Sequence, residues 1–494
     1  MLWMLAPIFC VVEIVVFPAV FFFKYRRLNR QSDVISSNYN PREAFDRFIS
    51  NASSIKQYVS LEGMICKWFG GVPLKKVKRG NVADLMTYGF WYKSRDQMEK
   101  EGLGHVPDQL AEELEQAFDL KLQEGRDPDL SFMAHLWQDV RCHYRPLSFY
   151  LGIELIFMAK HLLMLGAGFK SFTMNGYTYY TYGFDAQHQM TVDRTPILFL
   201  HGVGLGLLPY ITFVLRLAAS GHPVIAVECN HLGMRWVDII PTEDQVVDVL
   251  VAVMDSIGAK RVAAVGHSYG TFMASRLVQR HPERVQSLSL IDPVCFIMFE
   301  GKLIKNFVYR PHDGALTTWL VARDLHHAMS VCRGFFWSQL NLWPEHLPEK
   351  CLVVLSGKDT LVPVEETMKM LALQRPDIPV LLHKEHCHAD FIKDLKWQDK
   401  LVEQVIILAS PSGDMSEGEK CEKNISKDSV DAAHIKTTSR NEASVRRSER
   451  LRAKIIKTPE ISSKKASYMT LRSGGHGRSD SANSWERQHS HVAA

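Results

Sequence analysis

Between residues 196 and 383 six short apolar runs recur, PILFL (196–200), PVIAVE (223–228), RVAAVG (261–266), SLSLID (287–292), CLVVLS (351–356) and IPVLLH (378–383), separated mostly by stretches of helical periodicity. Runs this short and this continuously apolar fit strands buried on both faces. Their alternation with helices points to a parallel sheet, because each parallel return needs a crossover that covers one face. A hairpin is expected just upstream, where FTM and YTYY flank Asn175-Gly176, a dipeptide suited to a two-residue turn. The helix after PVIAVE carries its own start and stop. Thr242 and Gln245 form a capping-box pair, Val246, Val249, Leu250, Val253 and Ile257 keep helical spacing, and Gly258 ends the element. The expectation is an α/β fold with a mostly parallel central sheet and helices on both faces.

RVAAVG leads into Gly266-His267-Ser268-Tyr269-Gly270. A G-x-S-x-G match alone is weak, since about one chain in ten of this length and glycine content would hold one by accident. Here a strand precedes it and the helical TFMASRLVQRH follows, so that Ser268 stands on a sharp turn at the C-terminal edge of the sheet, above a helix N-terminus. A serine hydroxyl needs a base at neutral pH, and the base needs an acid to hold its tautomer. Asp359, in GKD after CLVVLS, and His388, in HCHADF after IPVLLH, follow in that order at the same edge. Asp292, ending SLSLID, is the reserve acid, and His386 competes with His388. His386 and His388 could also be two zinc ligands, but no third ligand stands at metal spacing, and neither metal nor cofactor is expected. The tetrahedral oxyanion requires preorganised N–H donors. The backbones of Val203, in His201-Gly202-Val203-Gly204, and of Tyr269 are placed to supply them. A dinucleotide reading of that loop fails at Leu207, where glycine would be required.

HGVG, the GHSYG turn, GKD and HADF, in this order, resemble the α/β-hydrolase superfamily over residues 171–409. DPV (292–294), NFVYR (306–310) and RGFFWSQLNLW (333–343) further resemble membrane-anchored α/β-hydrolases of eukaryotic microbes. The resemblance implies cleavage of a carboxylic ester, a lipid ester included, through an acyl-enzyme on Ser268. An acyltransferase of the same fold and a non-catalytic scaffold are the alternatives. It also implies a cap formed by the insertion 293–345. The aromatics of that insertion, Phe299, Phe307, Tyr309, Trp319, Phe335, Phe336, Trp337 and Trp343, are expected either to line an apolar acyl pocket or to pack the cap onto the sheet.

The ends of the chain differ in kind. Residues 1–23, MLWMLAPIFCVVEIVVFPAVFFF, hold one charge, Glu13, and would reach about 34 Å as a helix, enough for a ~30 Å hydrocarbon core. No basic residue precedes the run, whereas Lys24, Arg26, Arg27 and Arg30 follow it. An uncleaved single-pass anchor with a cytoplasmic catalytic domain is expected, leaving the sequons at Asn51 and Asn424 unmodified. Residues 31–170 read as a helical extension, with DQLAEELEQAFDLKLQEG stopping at Gly125. The nearly apolar stretch 149–169 reads as a helix packed on the domain, with an in-plane membrane helix as the second reading. From residue 410 to 494 apolar periodicity ceases and a disordered tail is expected. Its cluster Arg446, Arg447, Arg450, Arg452, Lys454 and Lys457 is a candidate contact for anionic lipid. The net charge of +4 gives no basic field for a nucleic-acid partner, and nine scattered cysteines give no disulfide framework.

Overall fold

The computed structural model describes residues 2–30, 39–185, 194–313 and 316–410, so the basic tail cluster and the Asn424 sequon lie outside the described residues. Eight strands form one sheet: β1 (Lys170–Met174), β2 (Tyr177–Tyr182), β3 (Ile197–Leu200), β4 (Val224–Glu228), β5 (Val262–His267), β6 (Val285–Ile291), β7 (Cys351–Ser356) and β8 (Val380–His383). Their spatial order is β1-β2-β4-β3-β5-β6-β7-β8. β1 and β2 pair antiparallel through the Asn175-Gly176 turn, where both residues have positive φ, and β2 pairs antiparallel with β4. The strands from β4 to β8 in spatial order run parallel.

Side chains alternate between two apolar cores. Leu198 and Leu200, Ile225 and Val227, and Val262 and Ala264 enter one core, whereas Ile197 and Phe199, Val224 and Ala226, and Ala263 and Val265 enter the other. Because both faces are dry, the runs read as continuous rather than alternating. Helices Glu243–Ser256 and Gly270–Arg280 cover the first face, and Ile211–Ala219 and Leu395–Ala409 the second. The Thr242–Gln245 capping box forms, and Gly258 follows the helix with φ +66°.

Helices Pro41–Ser50, Leu61–Trp68, Arg79–Met86 and Val106–Phe118 extend the first core outward. The last of these stops at Asp119, with φ +54°, and not at Gly125. A short polar side chain tolerates the left-handed conformation, and the Leu120 N–H closes the end on Glu115 O at 3.0 Å. These helices form the floor on which the cap rests. Phe48 meets Phe299 at 5.2 Å between ring centres, Phe90 meets Trp337 at 5.0 Å, and Tyr92 meets Phe336 at 4.8 Å. Most of the cap aromatics therefore pack onto the extension rather than the sheet.

Arg333 locks this junction. Its guanidinium donates to Asn29 O and Oδ1 and to the carbonyls of His135, Leu136, Gln138 and Cys332 at 2.6–3.1 Å.

Among the described residues two helices are long and apolar enough to cross a membrane, Ala6–Leu28, with mean hydropathy 2.4, and Leu147–Gly166, with mean hydropathy 1.5. The second is apolar on both sides, burying Tyr150, Ile153, Phe157 and Met164, with its charges paired. Lys160 is buried against Glu228 and donates to Tyr180 Oη at 3.0 Å, while Glu154 binds Arg235 at 2.5 Å. Leu151, Leu155, Met158, Leu162 and Leu163 face outward, exposed.

Candidate active site

The turn after β5 is built by steric necessity. Ser268 has φ +51°, a conformation that costs a non-glycine residue about 1–2 kcal/mol. Its backbone N–H donates to Ile291 O at 3.0 Å, and its carbonyl accepts from Thr271 N at 2.8 Å. Both flanking glycines are required. A Cβ at Gly270 would stand 2.1 Å from Leu200 O, and one at Gly266 would stand 2.8 Å from Gly270 O.

Loops after β7 and β8 converge on this turn. His388 Nε2 lies 2.8 Å from Ser268 Oγ, and His388 Nδ1 lies 2.6 Å from Asp359 Oδ2. The other Asp359 oxygen accepts from the N–H groups of Leu361 at 2.7 Å and Val362 at 3.0 Å, which fixes the carboxylate. With Nδ1 facing a carboxylate, that nitrogen keeps the proton in the neutral ring, and Nε2 is then left to accept from the serine hydroxyl. Burial pulls the His388 imidazole down, but Asp359 in contact and Asp292 and Asp390 nearby outweigh it and carry it up to about 9.

The other named residues separate by position. Val203 and Tyr269 both line a narrow cavity of about 20 Å³ over Ser268, closed by Phe272, Val294, Leu303, Phe307, Val331, Phe335 and Leu361. Among the described residues neither the Val203 N–H nor the Tyr269 N–H donates a hydrogen bond. Of the eight cap aromatics, Phe307 and Phe335 reach this cavity. His386 turns away from Ser268. It stacks on His383 at 3.3 Å and faces Asp394 at 3.3 Å. The donor atoms of His383, His386 and Asp394 lie within 4.8 Å of one another and could hold a metal ion. Asp394 also caps the following helix through Trp397 N at 3.0 Å, a role that hides it from any reading of ligand spacing.

Asp292, the reserve acid, does not bond the His388 ring. It is buried, has φ +45°, and accepts from Ala389 N at 2.8 Å, holding the chain beside His388. Its second neighbour is His267, 3.7 Å away. Burial pushes the Asp292 carboxyl up, but His267, His388 and the Ala389 N–H hold it below its ordinary value.

Two further residues were not anticipated. The Tyr210 hydroxyl accepts from Gly202 N at 3.2 Å and meets His267 Nδ1 at 2.8 Å, tying the glycine loop to the serine turn. Glu243 accepts from Tyr269 Oη at 2.6 Å; burial pushes this carboxyl up to about 7.

Fold and site together define an α/β-hydrolase, and the chain belongs to that family: residues 195–310 match the alpha/beta hydrolase fold. A Mycobacterium phage D29 protein that carries the name of a non-heme haloperoxidase is 33% identical over 196 residues, covering 39% of this chain and 67% of its own. The 2-hydroxymuconate semialdehyde hydrolase of Pseudomonas sp. strain CF600 is 25% identical over 210 residues, covering 35% of this chain and 74% of its own. Among solved structures, a carboxylesterase of Bacillus subtilis is similar at 14% identity and TM-score 0.36, covering 53% of this chain and 100% of its own.

Proposed function

We propose that the chain is a membrane-associated serine hydrolase that cleaves a carboxylic ester through an acyl-enzyme on Ser268. One observation carries this reading: the unbroken line from Ser268 Oγ through His388 to Asp359, at 2.8 and 2.6 Å, beside a cavity that Val203 and Tyr269 line. Ser268 Oγ attacks the ester carbonyl carbon as its proton passes to His388 Nε2. The carbonyl oxygen becomes an oxyanion held by the N–H groups of Val203 and Tyr269. Collapse breaks the bond to the alcohol oxygen, which leaves with the proton from His388. Water then attacks the acyl-enzyme, gives its proton to His388, and the acid departs as Ser268 regains its hydrogen. Asp359 holds the imidazolium throughout.

Phe307, Phe335, Leu303 and Val331 around the cavity favour an apolar acyl group. A fluorophosphonate probe tests the chemistry: the wild type is expected to label and Ser268→Ala to remain unlabelled. Failure of the folded wild type to label would favour a scaffold. An acyltransferase would label as well, and is separated by acyl acceptors that outcompete water for the acyl-enzyme.

A further inference from the structure

We propose that the protein sits in one leaflet of a bilayer on two helices, Ala6–Leu28 and Leu147–Gly166, rather than hanging from a single span. The proposal rests on the membrane reading above and replaces its simplest geometry.

The first helix is docked on one side from Glu13 to Tyr25, and the rest of its surface is exposed. The Glu13 carboxylate accepts from Ser148 N at 3.2 Å and Oγ at 2.6 Å, at the start of the second helix. Phe17 packs on Trp236 at 5.0 Å, and Phe21 packs on Tyr144 at 5.1 Å. Lys24 binds Asp238 at 3.2 Å and lies 4.0 Å from the Trp236 ring centre, and Tyr25 donates to Val140 O at 3.1 Å. Of the candidate span Ala6–Leu28, only Ala6–Val12 precedes these contacts, about 10 Å of helix against a ~30 Å hydrocarbon core. To span, the helix would have to leave its groove and carry Glu13 into the bilayer without its partners. A carboxylate bonded to a serine and to the first turn of a helix belongs at a protein surface.

The undocked faces of the two helices are apolar. Ile8, Val11, Ile14, Val15 and Phe23 on the first and Leu151, Leu155, Met158, Leu162 and Leu163 on the second are exposed. The exposed apolar residues of the second helix run over residues 151–165, about 21 Å. Of its charged groups, Lys160 is buried against Glu228, and the partly exposed Glu154 is paired with Arg235. A helix with its charges paired and its leucines toward solvent is arranged for a medium less polar than water. Lipid is favoured over a second copy of the chain by what flanks these faces. Trp236 lies 4.0 Å from Lys24 Nζ, and Tyr25 stands between Lys24 and Arg26-Arg27, so aromatic and basic side chains adjoin at the C-terminal end of the first helix, the mixture of a headgroup boundary.

The full-length chain with an epitope tag ahead of Met1 is synthesised in the presence of sealed microsomes and treated with protease from outside. Tag and catalytic domain are expected to be digested together. Flotation with phosphatidylcholine–phosphatidylserine vesicles is expected to weaken at least tenfold in Leu155→Glu/Leu162→Glu. Fluorophosphonate labelling of Ser268 in that variant should match the wild type, showing that it is folded. A tag protected while the domain is digested, or a double variant that floats like the wild type, overturns the one-leaflet arrangement. A wild type that labels but does not float, its apolar faces closed in a dimer, overturns the membrane reading and leaves the hydrolase reading standing.

Discussion

Two histidine–aspartate pairs lie side by side under the cap, their imidazoles 5.5 Å apart, and only one of them meets the serine. In His388–Asp359 the ring nitrogen and the carboxylate are at 2.6 Å and the far nitrogen faces Ser268. In His267–Asp292 the gap is 3.7 Å, and the far nitrogen is taken by Tyr210. The electrostatic outcome differs in sign. Burial lowers both imidazoles, but close contact with Asp359 reverses this for His388, whereas His267 stays below its ordinary value. Residue types alone do not make a base; an opposed carboxylate at bonding distance and a free second nitrogen do.

Asp359→Asn should break the comparison hardest. Without the carboxylate the ring loses its tautomer, and kcat should fall on the order of 10⁴-fold in a soluble ester assay, with folding intact by circular dichroism. Asp292→Asn should act less, because that carboxylate bonds the chain beside His388 and not the ring. Losing one charged hydrogen bond predicts about a tenfold fall in kcat/KM. Equal losses from the two variants would erase the distinction between the pairs.

The pH profile sharpens it. The base must be neutral to accept the serine proton, so a His388 value of about 9 predicts that kcat/KM rises through neutral pH and levels off only above about 9. Because Asp292 contributes to that elevation, Asp292→Asn should move the limb to lower pH. Smallest of all, Tyr210→Phe strands Gly202 N and His267 Nδ1. It should cost about 1–3 kcal/mol in denaturant unfolding and change the pH limb little.

The sheet was legible because burial on both faces leaves an uninterrupted apolar run, and Ser268, Asp359 and His388 because each stands at the end of such a run. Tyr210 was not, and Asp292 was read only as a reserve acid and not as the acceptor that holds Ala389, since these contacts join residues 57 and 97 apart that share no local pattern. The fate of the cap aromatics was equally hidden. A ring that lines a pocket and a ring that packs on a neighbouring helix need the same apolar surface. Only the position of the extension decides that Phe335 meets the cavity and Phe336 meets Tyr92. Gly125 drew the helix boundary too far because glycine is the usual stop, whereas Asp119 supplied the left-handed residue earlier.

The Arg333 guanidinium has consequences for motion. Six acceptors from Asn29, residues 135–138 and Cys332 converge on one side chain. Releasing any one stretch strands the cation among partly emptied carbonyls, so the three stretches should exchange their amide hydrogens as one cooperative unit. The cap is thereby pinned at its C-terminal end. At the other end of the cap, Leu303 and Phe307 line the cavity of about 20 Å³ from a wide-turned helix, Ile304–Tyr309 following Leu303.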